Sequence, residues 1–98
     1  MRKYMLISQN IKNTRKRNTH IFSSHKKAYK SMEKSFMRIL SKANLYWKRS
    51  IDGTFIVHEP CKNEPASDVY IKQDTAYIAN KCVNDELKTR WKIIPVNA

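Results

Sequence analysis

Five cations fall at intervals of four residues: Lys26, Lys30, Lys34, Arg38 and Lys42. On a helix of 3.6 residues per turn each step of four drifts by only about 40°, so they form one slowly winding positive stripe. Ala28, Met32, Phe36 and Leu40 take the same step two residues out of phase, which places them on the opposite side. Such a helix can bury one stripe and offer the other to phosphate. Like charges at i and i+4 repel by a few tenths of a kcal/mol per pair, roughly, a cost that a bound polyanion relieves. A plain solvated face normally mixes Glu with Lys, and here Glu33 is the only acid between residues 26 and 42. Lys12, Arg15, Lys16 and Arg17 form a second basic group, of the kind that clamps phosphates from a flexible arm. Lys48 and Arg49 follow Tyr46 and Trp47, and Arg90 and Lys92 flank Trp91. Aromatics beside cations on an open sheet face stack and hold single strands, although a tryptophan in a domain of this size more often belongs to the core.

No catalytic, cofactor or metal signature accompanies these cations. One glycine, Gly53, excludes a P-loop and a dinucleotide fingerprint. The acids Asp52, Glu59, Glu64, Asp68, Asp74, Asp85 and Glu86 form no pair that a motif places. His58 and Cys61 have ligand-like spacing, but His20, His25 and Cys82 supply no second tight pair, so no metal is expected. His58-Glu59-Pro60-Cys61 also lacks the arrangement of a zinc deaminase. The expectation is a protein without a cofactor, a small-molecule substrate or enzymatic activity.

The distribution of charge is as informative as its size. The formal net charge is +12, yet residues 1–50 hold 14 Lys/Arg against one acid, and residues 51–98 hold six against seven. A chain rich in lysine through genome composition alone would not lose its acids from one half. A one-sided excess of this kind attracts polyanions. With 41% hydrophobic residues the composition is globular, and 98 residues read as a single domain, 1–98.

Several elements must position these groups. Residues 3–8 are apolar and β-compatible on both faces, the pattern of an internal strand. Residues 10–20 are polar, basic and non-periodic, and are read as a loop or arm. Ser23-Ser24 is a helix N-cap, and the spacing predicts a helix over 24–43 with Asn44 as its stop. Residues 45–51 and 54–58 read as a hairpin around a two-residue Asp52-Gly53 turn. Register 51:54 puts Leu45, Trp47, Ile51 and Ile56 on one face, and Tyr46, Lys48, Phe55 and Val57 on the other. Residues 59–67 are a loop, and 68–73 alternate as a half-buried strand. Residues 74–79 either continue that strand or form a short helix capped by Asp74. Residues 90–96 make a last strand, where Pro95 marks an edge or a strand end.

The fold class expected is α+β: one long helix packed on a mostly antiparallel sheet of four to five strands, in the order β-α-β-β-β-(β). No apolar run is long enough to span a bilayer. The N-terminal apolar stretch stops at Ser8, short of a signal-peptide core. The reading is therefore cytoplasmic, with Cys61 and Cys82 as thiols rather than a disulfide framework. The function expected is non-enzymatic nucleic-acid binding, DNA or RNA, through phosphate contacts from the basic helix and arm. The alternative is a small phage or mobile-element accessory protein, an inhibitor or adaptor that meets an acidic protein surface or a host-defence nucleoprotein. For that role Tyr46, Trp47 and Tyr70 are the anchors.

Overall fold

The computed structural model describes residues 2–43, 45–58 and 66–97. Strands β1 (Arg2–Asn10) and β2 (Arg17–Phe22) precede helix α1 (His25–Lys42). After it come β3 (Tyr46–Arg49), β4 (Phe55–His58), β5 (Val69–Ile71), β6 (Thr75–Ile78), a 3-10 turn at Asp85–Leu87, and β7 (Thr89–Asn97). Five strands form one antiparallel sheet in the order β2-β1-β7-β6-β5, while β3 and β4 pair separately. One helix on a mostly antiparallel sheet is the fold class the pattern implied. The chain order differs, because a second strand comes before the helix.

Helix α1 begins as the sequence requires. Ser24 is extended (φ −146°, ψ 155°) and its side chain accepts from the Lys27 N–H at 3.2 Å. Ala28, Met32, Phe36 and Leu40 are buried. They pack against the sheet residues that share their side, Leu6, Ala76, Ile78, Trp91 and Ile93. Phe36 sits 5.9 Å from the ring centroid of Trp91, edge-on, and the same distance from Phe55. The His25 ring and the Asp74 carboxylate meet at 2.7 Å, tying the start of the helix to the β5–β6 turn. Asn44, expected to stop the helix, lies outside the described residues, as do Cys61 and most of the 59–67 loop.

Four expectations need correction or completion. The basic loop or arm expected at 10–20 is shorter: residues 11–16 connect strands, and Arg17–Phe22 pair with β1 from Gln9↔Arg17 to Tyr4↔Phe22. β2 is an edge strand with almost every residue exposed, so it shows no apolar alternation. Residues 74–79 neither extend β5 nor form a helix; Thr75–Ile78 turn back on β5 as a strand of their own. The β3–β4 hairpin closes with three residues instead of two. Ser50 N–H donates to Thr54 O at 2.8 Å, Gly53 N–H to Ser50 O at 3.0 Å, and Gly53 takes φ +89°. A hydrogen-bonded turn over residues 50–53 thus ends on a left-handed residue, which glycine adopts without strain. The register becomes Trp47↔Val57 and Arg49↔Phe55. A slip of one residue changes which side chains share a face: Phe55 and Val57 join Trp47, and Val57 and Leu45 are buried.

Pro95 is explained by strand length. β7 is internal, but β6 pairs with it only as far as Thr75↔Lys92, and the Ile93 N–H then reaches Asp74 O at 2.8 Å. Two residues on, position 95 points the same way, past the end of β6, where a ladder donor is not required. Among the described residues no helix is long and apolar enough to cross a membrane.

Candidate nucleic-acid interface

The α1 stripe stands as the spacing implied: Lys26, Lys30, Lys34, Arg38 and Lys42 are all exposed, out of phase with the buried Ala28, Met32, Phe36 and Leu40. Glu33 is already engaged. The Arg49 guanidinium donates to its Oε2 at 2.9 Å, and the same guanidinium lies 4.5 Å from the Phe55 ring centroid. Burial, then the Glu33 carboxylate, pushes the neighbouring Tyr29 phenol above its ordinary value. Arg49 therefore joins the hairpin to the helix and neutralises the one acid within α1. Lys48, beside it on β3, is exposed.

The arm cations are divided by the strand pairing. Lys16 borders a shallow depression of about 200 Å³ together with Arg38 of α1, so this cation adjoins the stripe; Glu86 lies on its rim. Arg17, one residue later, is in register with Gln9 and lines a cavity on the opposite face of the sheet. Lys12 faces Asp85, whose carboxyl is held below its usual value by the hydrogen bond and charge of Lys88 and, more weakly, by Lys12. Arg15 is exposed.

The connection that carries Lys12, Arg15 and Lys16 is bound at many points. Asn10 is buried, and its Nδ2 donates to the carbonyls of Asp85 (3.1 Å) and Glu86 (3.0 Å). Its Oδ1 accepts from the N–H groups of Lys12 (2.9 Å) and Asn13 (2.7 Å). Ile11 N–H reaches Lys88 O, and Gln9 Nε2 reaches Thr14 O. A polar sequence has produced a tight loop clipped to the 3-10 turn, because one buried asparagine satisfies donors and acceptors from both segments.

The aromatics flanked by charge separate in the same way. Trp91 is 3% exposed in the core, while its neighbours Arg90 and Lys92 point to the uncovered sheet face. There they meet Tyr70 and Tyr77, a cross-strand stacked pair with centroids 5.6 Å apart. Lys72 Nζ lies 4.9 Å from the Tyr70 centroid. Sequence reading did not assemble this second basic face, although the alternation of Val69 and Ile71 with Tyr70 and Lys72 carried part of the signal. Tyr46 (68% exposed) and Ile51 remain outward on the hairpin.

Among the described residues no group of three His, Cys, Asp or Glu side chains is close enough to hold a metal ion. No protein-family model matches the chain, and neither the curated proteins nor the solved structures offer a match.

Proposed function

We propose that this protein binds nucleic acid without catalysing a reaction, in the cytoplasm, by gripping the phosphate backbone with α1 and the adjoining Lys16. The observation that carries this reading is the stripe itself: five exposed cations on one helix, whose own single acid, Glu33, is paired with Arg49. Lys30, Lys34 and Arg38 span two steps of about 40° and can meet one backbone together. Contacts of this type position a protein on nucleic acid and carry little sequence information. Fluorescence anisotropy of a labelled duplex across a salt series tests the proposal: the logarithm of affinity falls linearly with the logarithm of salt, and the slope counts the phosphates neutralised.

A second reading is supported by the hairpin. Tyr46 and Ile51 are large, outward-facing and next to the helix through the Arg49–Glu33 pair, the arrangement of an adaptor or phage-type inhibitor that docks a nucleoprotein. On that reading Tyr46→Ala abolishes capture of a protein partner and leaves duplex affinity unchanged.

A further inference from the structure

The sheet face opposite α1 is not covered by any described element, and its charge has one sign. Lys3, Arg17, Arg90 and Lys92 alternate out of the strands on that side, and Lys72 joins them over Tyr70. No acid is among the described strand residues that share it. A cavity of about 450 Å³ runs across this face, with Tyr70 and Tyr77 at one end, Arg17 at the other, and Gln9, Arg90 and Lys92 between them. The volume is within the range of small-ligand sites.

The cavity has ordered parts. Gln9 Oε1 accepts from Nε (3.2 Å) and Nη2 (2.8 Å) of Arg90, which fixes that guanidinium on the floor and leaves its other terminal nitrogen outside the fork. Tyr77 is the register partner of Arg90. From Tyr77 on β6 to Arg17 on β2 there are three strand spacings, about 14 Å. That is several times the axial repeat of a stacked strand, about 3.4 Å.

We propose that this face is a second site, separate from α1, that takes single-stranded nucleic acid: a base stacks on the Tyr70–Tyr77 pair, and phosphates meet Arg90, Lys92 and Arg17. Stacking on tyrosine tolerates every base, because every base has a π-face. An A-form or B-form duplex hides its base faces and cannot use the tyrosine pair.

The test compares a labelled 12-nucleotide thymidine strand with an abasic strand of equal length and charge, and with a duplex. Wild-type protein is expected to prefer the strand with bases by about tenfold or more. Tyr77→Ala lowers that affinity to the abasic level and leaves the abasic strand unchanged, whereas Tyr77→Phe keeps the preference. A Lys30→Glu, Lys34→Glu, Arg38→Glu variant keeps the preference while losing the duplex, so failure of the helix site and failure of this one are told apart. Should Tyr77→Ala melt early, Arg17→Gln with Lys92→Gln, both at exposed positions, serves instead; it weakens the thymidine strand severalfold and spares the duplex. Equal binding of the two strands by the wild type overturns the proposal. So does a folded Tyr77→Ala that retains the preference, or an acidic peptide that displaces the thymidine strand equally from wild type and Tyr77→Ala.

Discussion

Reversing Lys30, Lys34 and Arg38 to glutamate removes the middle of the α1 stripe. All three side chains are exposed and on the far side of the helix from Met32 and Phe36, so the core is not touched. The stripe contains four like-charged i,i+4 pairs, at about 0.2–0.5 kcal/mol of repulsion each. The variant turns the outer two, 26 with 30 and 38 with 42, into attractions, so helix stability is expected to rise by about 1 kcal/mol rather than fall. Binding responds in the other direction. Three phosphate contacts at about 0.9 each account for about 2.7 of the log–log salt slope on duplex, and at about 0.15 M salt they are worth roughly a hundredfold in affinity. Net charge drops from +12 to +6, two units for each of three reversals. A control of equal net charge made at Arg2, Lys72 and Lys81, which are exposed and off the stripe, keeps most of the slope. The assay is anisotropy on a labelled duplex over a salt series, with thermal melts of each variant. If the folded stripe variant keeps the wild-type slope, or the control loses as much, α1 does not form the interface.

Two further outcomes follow from the same contacts. Asn10→Ala removes four hydrogen bonds, two to the 3-10 turn and two within the β1–β2 connection; at about 0.5–1.5 kcal/mol each, a loss of about 2–6 kcal/mol is expected. Denaturant midpoints report the loss, and the Lys12 and Asn13 amides exchange faster; unchanged protection at both would show that the loop is held by something else. At the hairpin tip, hydrogen bonds from the Ser50 hydroxyl and from the Thr54 N–H and hydroxyl lower the Asp52 carboxyl from 3.8 to about 2. A folded value below the unfolded one means that the tip is stabilised above pH 3.8 and that this contribution is lost as pH falls through about 2. The Thr54 amide resonance of the folded protein is expected to titrate with a midpoint at about 2; a midpoint near 3.8 would refute the assigned bonds.

The helix was legible because its two stripes have the 3.6-residue period and its cap is a serine, features that do not depend on the rest of the chain. β5 showed its half-buried alternation for the same local reason. β2 was not legible. At a sheet edge with almost every residue exposed, Arg17–Phe22 needs no apolar pattern, and its pairing is set by β1. The hairpin was recognised, but Asp-Gly signals a two-residue turn, and the third residue, Ile51, reverses the faces of Phe55 and Val57. Of the basic groups, the stripe on α1 could be read from spacing. The division of Lys16 from Arg17 could not, because it depends on β2 being a strand. The Tyr70–Tyr77 pair above Arg90 and Lys92 depends on β6 lying between β5 and β7, a consequence of tertiary pairing that spacing along the chain does not encode. Trp91 marks the same boundary: its neighbours are charged, but strand alternation sends it to the core.

The most direct test of nucleic-acid binding through α1 is the salt dependence of wild-type affinity for a labelled duplex. Three contacts from Lys30, Lys34 and Arg38 predict a log–log slope of about −2.7 or steeper, with binding that persists at about 0.15 M salt. A slope near zero, or binding that disappears below that concentration, would contradict the account and leave the hairpin, with Tyr46 and Ile51, as the surface through which the protein acts.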